Sequence, residues 1–403
     1  LGGVFAVLGF IPQILTLFLF FSILEDTGYM ARIAFILDRI FRKFGLSGRA
    51  FMPMVMGFGC SLPAMINTRT LADDKERTST VRVIPFFSCG AKLPILTAVA
   101  GAIVAYFGVG NADVITMCMY LLGICTAIVT VILMRSTTMR GEVPPFIMEL
   151  PAYHAPRFQS LMVHLWDKTK HYVKKAFTII LASTIVIWFL SSFNWSWQFL
   201  INEDGDNLRM NESILGSIGM LIQPLFTPLG FGSQLGVEFG WVFAVAAITG
   251  LVAKENVIAT FGSLAAVIAG SLIATEDGVS EVTAMIQGTG IGIPGLISFI
   301  AFNMLTIPCF AACATARAEL PKGKFKWTLL FWLATSYVVS MAIYLIGSWW
   351  WTCFIFIAAA AAAVALIVLW NKKHPMKKET VSATVGLDEA ALDEAAVTRE
   401  EKK

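Results

Sequence analysis

Residues 57–65 have the sequence GFGCSLPAM, and residues 85–94 have the sequence PFFSCGAKLP. Each stretch places a cysteine and a proline among glycines and small residues, inside a run apolar enough to lie in a membrane. A membrane helix should avoid this composition, because it breaks backbone hydrogen bonds where no water replaces them. The two stretches therefore predict interrupted helices at membrane depth, and the same interruption recurs later in the chain.

The composition of the 403 residues indicates a membrane protein. Of these residues, 57% are hydrophobic, 14% are charged and 31 are phenylalanine. Several apolar runs reach the roughly 20 residues that span hydrocarbon, so we predict an all-α polytopic membrane protein. The sequence begins at Leu1 without a charged n-region or a cleavage site. We therefore expect no signal peptide, and an internal start of this kind predicts a piece of something longer.

The seven cysteines all lie in apolar segments and none lies in a polar loop. This distribution argues against the disulfide framework of secreted domains. The sequence also lacks a CxxC pair and the glycine spacing of a phosphate-binding P-loop. We therefore expect a chain that is not itself an enzyme.

Hydrophobic runs predict complete spans at 4–24, 81–106, 113–134, 172–193, 291–316, 327–347 and 351–370. By the positive-inside rule the loops rich in Lys and Arg should be cytoplasmic, and these are 39–49, 73–82, 135–175, 321–326 and 371–378. The acidic stretch 194–213 and residues 275–290 should lie outside. Span 4–24 then runs from outside to inside, which places Leu1 on the outer side, so a cytoplasmic N-terminus would need one more span. The C-terminus is predicted to be cytoplasmic.

Two interrupted segments, 51–67 and 238–262, enter and leave the membrane on the same side and are predicted to be re-entrant. Each follows an amphipathic surface segment, 28–45 in the first half and 214–230 in the second. The same order of elements thus occurs twice, starting from opposite sides of the membrane. This is the inverted-topology repeat of many secondary transporters.

Local sequence similarity supports the repeat. GFGCSLPAMINT (57–68) corresponds to GLVAKENVIAT (250–260), and IPFFSCGAK (84–92) corresponds to IPCFAACAT (307–315). The predicted organisation is a first repeat over 1–134, a cytoplasmic crossover over 135–171, a second repeat over 172–347, a last span over 348–370 and a cytoplasmic tail over 371–403.

Four helix breaks that meet near the midplane predict a substrate site, because irregular backbone at membrane depth must be enclosed by protein or face a watery cavity. The principal candidate metal ligands are Cys60, Cys89, Glu255 and Cys309. Secondary or gating candidates are Ser61, Ser88, Lys92, Asn256, Asn303, Cys313, Met54 and Met56. Thiolate and carboxylate ligands favour a borderline or soft divalent cation, whereas Mg or Ca would require an oxygen-only set.

Each candidate also has an ordinary structural interpretation. Free cysteine and methionine fill apolar cores, and this interpretation is favoured for cysteines inside unbroken spans. Glu255 would form a structural ion pair with its neighbour Lys254, although ionisable groups inside membranes are functional by default. Lys92 is either an alternative partner of Glu255 or a gate.

Five stretches resemble the membrane domain of the FeoB-type ferrous-iron transporters of bacteria. They are LEDTGYMARIAFILDRIFRKFGLSGRAFMPMVMGFGCSLPAM (24–65), PFFSCGAKLPI (85–95), MRGEVPPFIMELPAYHAPR (139–157), GLVAKENVIATFG (250–262) and IPCFAACATARAE (307–319). The resemblance runs in order from about residue 4 to residue 347. It implies two gate repeats of the nucleoside-transporter type and Fe(II) as the imported substrate at the bacterial cytoplasmic (inner) membrane.

The family ordinarily also has a cytoplasmic GTP-binding domain, a helical domain similar to a GDP-release inhibitor, and one span more than this chain. The resemblance therefore implies that GTPase activity, with GTP and Mg, belongs to a domain that this chain lacks. It carries the family's gate cysteines over to Cys60 and Cys89, and its cysteine after proline to Cys309, whereas Cys313 has no counterpart. Implied partners are the lipid bilayer, the GTP-binding domain, a small FeoA-like regulator and further copies of the chain, and no nucleic acid.

Three hypotheses remain open at this point. The first is a permease for a divalent metal, Fe(II) or another such as Mn or Zn, in which Cys60 and Cys89 bind the ion between the repeats. The second is a nucleoside-type solute carrier, which would use hydrogen-bonding groups such as Glu255 and Asn303; the paired cysteines argue against it. The third is a membrane scaffold or sensor that transports nothing.

Overall fold

The structure of the chain is a computed structural model. It describes residues 2–71, 73–137, 188–198, 200, 212–232, 241–252, 254, 257–269 and 278–373, with isolated positions between 159 and 186. Every regular element in these residues is helical, which confirms the predicted fold class. The chain divides into two compact units, residues 1–359 and residues 360–403. Within the second unit, the described residues are the end of the last helix.

The helices of the first half follow one another through short turns. They are α1 (Gly2–Asp26), α2 (Tyr29–Lys43), α3 (Phe51–Gly59), α4 (Ser61–Asn67), α5 (Asp74–Val83), α6 (Leu93–Phe107) and α7 (Ala112–Thr137). Gly28 turns the chain between α1 and α2 with a φ of 74°, a conformation that favours glycine. Helix α2 is amphipathic as predicted, since Met30 and Ala34 are buried while Arg39 and Lys43 are exposed.

The second half contains α8 (Ile214–Phe226), α9 (Val242–Val252), α10 (Val257–Ala269), α11 (Val279–Thr289), α12 (Ile293–Leu305), α13 (Phe310–Glu319), α14 (Lys324–Ser348) and α15 (Thr352–Lys373). Helix α11 falls in a stretch that the sequence predicted as a connection outside the membrane. Its apolar residues Val282, Met285 and Ile286 follow an i, i+3, i+4 pattern and are fully buried. This spacing places them on one helical face, which packs against α6 and α10.

Several of the helices are long and apolar enough to cross a membrane. Among the described residues, three stretches meet this condition by themselves: Asp74–Phe107, Ala112–Thr137 and Lys324–Ser348. Helices α12 and α13 meet it together, with a bend of 42° between them. These four coincide with four of the predicted spans, and α1 and α15 cover two more. Most of the predicted span 172–193 lies outside the described residues.

The interrupted helices of one half pack against those of the other. Helix α4, which follows the break at Cys60, packs against α13 of the second half. Helices α10 and α11, which follow the break at Lys254, pack against α6 of the first half. An inverted repeat would produce this reciprocal arrangement, because α4 corresponds to α10 and α6 corresponds to α13.

Large side chains enclose the region where the halves meet. The ring of Phe299 on α12 has its centroid 5.4 Å from that of Phe231 and 5.3 Å from that of Phe243. The indole of Trp332 on α14 is also fully buried and donates a hydrogen bond of 2.8 Å to the carbonyl of Arg82, which links α14 of the second half to α5 of the first. These contacts keep the non-helical backbone between the halves away from lipid, as membrane insertion requires.

Candidate cation site

Four interruptions of the helices position the candidate residues. Cys60 separates α3 from α4 with extended backbone, φ −152° and ψ 128°. Residues 84–92 separate α5 from α6 through the short 3-10 turns Ile84–Phe86 and Gly90–Lys92. Residues 306–309 separate α12 from α13, and Lys254 lies between α9 and α10. Prolines next to the breaks, such as Pro85 and Pro308, remove donors that a continuous helix would need.

The three principal cysteines occupy equivalent local positions. Cys60 directly precedes α4, Cys89 directly precedes the turn Gly90–Lys92, and Cys309 directly precedes α13. Cys60 and Cys89 have extended backbone, Cys309 has φ −53° and ψ 155°, and all three side chains are half-buried. A side chain at such a position can approach a ligand between the helices, because the backbone around it has left the helical path.

Thiols from the two halves share the same neighbours. Cys60 and Cys309 both contact a small apolar pair formed by Leu62 and Ala311. This follows from the packing of α4 along α13, because each thiol lies at the residue before its helix. The two halves therefore contribute one thiol each to a common region.

Lys92 lies at the end of the interruption between α5 and α6 and is enclosed, with only 2% of its surface exposed. Its Nζ donates hydrogen bonds to the carbonyl oxygens of Pro85 at 2.6 Å, Phe87 at 3.3 Å and Met304 at 2.6 Å. An ammonium group has three hydrogens, so three carbonyl acceptors satisfy it completely. Lys92 thus joins the interruption between α5 and α6 in the first half to the end of α12 in the second half.

Lys254 is equally buried, at 2% exposure, and its Nζ donates to the carbonyl oxygen of Asn303 at 2.6 Å. The sequence predicts Lys254 as an ion-pair partner of Glu255. Among the described residues, the hydrogen-bond acceptor of Lys254 is the backbone carbonyl of Asn303. Lys254 and Lys92 therefore donate to consecutive carbonyls of α12, those of Asn303 and Met304.

Three buried oxygen atoms at the breaks have no hydrogen-bond partner among the described residues. They are Ser88 Oγ between α5 and α6, Asn303 Oδ1 near the end of α12, and Thr306 Oγ1 between α12 and α13. An unpaired buried polar atom costs about 1–3 kcal/mol, so such oxygens are available to a ligand. Thr306 was not predicted; its position two residues before the Pro308 break was the available signal.

Other predicted candidates have structural partners. Cys313 is buried and its Sγ donates to the Pro308 carbonyl at 3.3 Å. The Met56 sulfur accepts a hydrogen bond of 3.1 Å from Asn67 Nδ2, which links α3 to α4. Met54 and Ser61 are buried, and Met54 lies in the apolar core. These contacts favour packing roles for the sulfur atoms of Cys313, Met54 and Met56.

Two predicted site residues, Glu255 and Asn256, lie outside the described residues. In the part of the chain that the structure describes, no three His, Cys, Asp or Glu side chains are grouped closely enough to hold a metal ion. Cys118 and Cys125, expected to pack in the core, are instead exposed on α7, where they would face lipid. The described groups at the breaks are thus thiols, neutral oxygens and two ammonium groups.

Two family models match the sequence. The model described as "Gate: Nucleoside recognition" matches residues 7–103 and 173–322. The model described as "Ferrous iron transport protein B C terminus" matches residues 116–168. No solved structure matches the chain.

Several curated proteins are similar to this chain over most of its length. A protein named "Fe(2+) transporter FeoB" from Campylobacter jejuni is 39% identical over 343 residues, which cover 84% of this chain and 53% of the relative. A protein of the same name from Staphylococcus aureus is 35% identical over 350 residues, covering 86% of this chain and 48% of the relative. An "Fe(2+) transport protein A/Fe(2+) transporter FeoB fusion protein" from Porphyromonas gingivalis is 32% identical, with 86% and 43% covered.

The chain spans about half the length of the curated relatives it matches. The resemblance that its motifs predicted agrees with the family models and with these relatives. On this evidence the chain belongs to the FeoB family, of which it contains the gate region.

Proposed function

We propose that this chain forms the membrane pathway through which a FeoB-type transporter imports Fe(II). The observation that supports this most directly is the position of Cys60 and Cys309. These thiols come from opposite halves, directly precede helices that follow a break, and contact the same pair, Leu62 and Ala311. The relatives' names, Fe(2+) transporter, supply the substrate class.

The chemistry of the breaks suits a borderline divalent cation. Thiolate ligands favour Fe, Zn and Cu over Mg and Ca, and neutral oxygens complete their coordination. In this proposal Cys60, Cys89 and Cys309 bind the partly dehydrated ion together with Glu255. The unpaired oxygens of Ser88 and Thr306 lie at the same breaks and are further candidate donors.

An incomplete set of ligands is compatible with transport. A pathway must bind its ion strongly enough to admit it and weakly enough to release it. The described thiols do not form a closed cluster of three. We expect the ion to be held by one or two thiols at a time, with carbonyl and hydroxyl oxygens replacing part of its water.

The proposal extends to the rest of the transporter. GTP hydrolysis, with Mg, would take place in a separate cytoplasmic domain and would gate the pathway. The basic loops would place the C-terminus of this chain in the cytoplasm. The Porphyromonas gingivalis relative is named as a fusion with Fe(2+) transport protein A. That fusion supports a small FeoA-like protein as a partner on the same side of the membrane.

Uptake of radioactive Fe(II) under reducing conditions tests the proposal. Cells that lack their own ferrous transporters would express the wild-type protein or the variants Cys60→Ser, Cys89→Ser, Cys309→Ser and Glu255→Gln. Cys118→Ser is the matched control, because Cys118 is exposed on the uninterrupted helix α7. We expect at least a tenfold loss of initial rate in the variants at the breaks and none in the control.

Equal rates in the well-expressed variants and the wild type would remove the thiol site from the proposal. Competition by unlabelled Mn(II) and Zn(II) in the same assay measures selectivity among metals. Uptake of a radiolabelled nucleoside by the same cells tests the solute-carrier alternative, which predicts nucleoside uptake and no Fe(II) uptake.

A further inference from the structure

The end of α12 binds two buried cations that belong to the protein itself. The carbonyl oxygen of Asn303 accepts from Lys254 Nζ, and the next carbonyl, that of Met304, accepts from Lys92 Nζ, each at 2.6 Å. Lys92 comes from the first half of the chain, and Lys254 comes from the second. Two independent segments thus deliver ammonium groups to consecutive carbonyls of one half-helix.

A helix C-terminus inside a membrane is a natural binding site for cations. Its last carbonyls lack partners within the helix, and the helix dipole places about half a negative charge there. In transporters built from inverted repeats, the C-terminal ends of broken helices commonly bind the coupling ion, such as Na⁺. Helix α12 ends at Leu305, at the break that precedes Cys309, and so presents an end of this kind.

We propose that Lys92 and Lys254 are tethered cations that occupy the coupling-ion position at the end of α12. Their ammonium groups supply, from the chain itself, the positive charge that a bound Na⁺ or K⁺ would supply in a coupled transporter. Transport by this chain then requires no alkali cation at that position. The statement about transport rests on the proposed function, whereas the occupancy of the helix end by lysine does not.

The hydrogen bonding of Lys92 supports the tethered-cation role. Its three acceptors, the carbonyls of Pro85, Phe87 and Met304, match the three hydrogens of an ammonium group. A surface lysine would extend its charge to water, but Lys92 and Lys254 are each 2% exposed. Lysines buried this completely within a membrane protein are expected to have a specific role.

The remaining oxygens at this helix end also match an ion site. Asn303 Oδ1 and Thr306 Oγ1 are buried, have no hydrogen-bond partner among the described residues, and are three positions apart. Side chains at this spacing lie on the same face of a helix end. Both are neutral oxygens, as are the two carbonyls that accept from the lysines, and the ammonium groups already offset the negative potential of the helix end.

Removal of one lysine should therefore convert the position into a site for a free cation. We would purify the complete protein in detergent and measure its melting temperature without iron or nucleotide, in choline chloride and in methylammonium chloride or NaCl at equal ionic strength. The variants are Lys92→Ala, which leaves space for a small cation, and Lys92→Met, which fills that space without charge. Lys322→Ala is the control, because Lys322 is exposed.

We expect Lys92→Ala and Lys92→Met to melt several degrees below the wild type in choline chloride. Methylammonium or Na⁺ should raise the melting temperature of Lys92→Ala saturably and recover much of the loss, since a ligand that binds only the folded state stabilises it. The wild type, Lys92→Met and Lys322→Ala should show no such rise. An equal response of the wild type and Lys92→Ala would overturn the proposal.

Lys254→Ala provides a second, independent variant should Lys92→Ala fail to fold, with the same expected rescue. Iron uptake by the wild-type protein in K⁺, Na⁺ and choline media completes the test, and we expect equal rates at a fixed membrane potential. A requirement for Na⁺ would contradict the tethered-cation role. Loss of uptake in the cysteine variants is a separate result, because the melting experiment contains no iron.

Discussion

The two hairpins of the molecule, α3–Cys60–α4 and α9–Lys254–α10, occupy corresponding places in the two halves but are anchored at opposite ends. The tip of the first is the half-buried Cys60, and its anchor lies beyond α4, where Arg69 forms an ion pair of 2.6 Å with Glu319. The second is anchored at its tip, where Lys254 donates to the Asn303 carbonyl. The same backbone plan therefore supports a tip that carries a thiol in one half and a tip anchored by a lysine in the other.

This difference indicates which hairpin is fixed at its tip. A buried, hydrogen-bonded ammonium group resists displacement, because moving it would leave both a charge and a carbonyl unpaired. The first hairpin is instead held at its base by the ion pair of Arg69 with Glu319. Hydrogen bonding to Glu319, and secondarily its negative charge, raise the pKa of Arg69, so Arg69 stays charged throughout the physiological range.

The largest effect should come from making the first tip resemble the second. In Cys60→Lys a fixed positive charge replaces a soft ligand, and a unit charge about 4 Å from another costs ~4 kcal/mol at an effective dielectric constant near 20. We therefore expect Fe(II) uptake to fall at least a thousandfold, to background. Cys60→Met is the control of similar size with a thioether donor, and it should retain measurable uptake. Equal rates in these two variants would show that the tip does not face the ion.

A smaller effect should distinguish the glycines that support the two tips. A Cβ atom on Gly250 would lie 2.5 Å from Asn303 Oδ1, whereas the nearest atom to a Cβ on Gly57 is 3.4 Å away. Gly250→Ala should therefore destabilise the protein by about 1–3 kcal/mol through overpacking. Gly57→Ala should be neutral or stabilising by up to ~1 kcal/mol, because alanine favours helices. Melting temperatures in detergent measure both, and a larger loss at Gly57 would contradict the assignment of the anchored tip.

The smallest effect concerns the base of the first hairpin. A double-mutant cycle with Arg69→Gln and Glu319→Gln should give a coupling free energy of about 1 kcal/mol. The Arg69 side chain is 66% exposed, which weakens the pair, but Glu319 is 5% exposed, which strengthens it. The control cycle uses Arg77 and Asp74, a pair within α5, for which about 0.3–0.5 kcal/mol is expected. Denaturant or thermal unfolding measures both, and a larger coupling in the control would refute the anchoring role.

The breaks were predictable from sequence because their causes are local. Proline and glycine act on the backbone within a few residues, so the interruptions at Cys60, at 84–92 and before Cys309 follow from the letters around them. Membrane composition and the apolar runs likewise fixed the class of protein and the positions of most described spans. Helix α11 was missed because Ser280 and Glu281 near its start give it the composition of a polar connection.

The roles of the lysines were not predictable, because their partners are distant in sequence. Lys92 donates to a carbonyl 212 residues away, and Lys254 donates to one 49 residues away. Every residue has a backbone carbonyl, so no sequence pattern identifies the carbonyl that accepts a hydrogen bond from a distant lysine. The unpaired hydroxyl of Thr306 was hidden for a similar reason, since a lack of partners becomes visible only in three dimensions.

The bend of 42° between α12 and α13 has an electrical consequence. At 1.5 Å per residue the two helices are roughly 20 Å and 15 Å long, which places the break near the middle of a hydrocarbon layer about 30 Å thick. A divalent ion at that depth has crossed roughly half of the transmembrane voltage drop, worth ~2.3 kcal/mol per 100 mV for two charges. An interior-negative potential should thus raise ion occupancy at the bend roughly fiftyfold per 100 mV, and the import current should grow as the membrane is polarised.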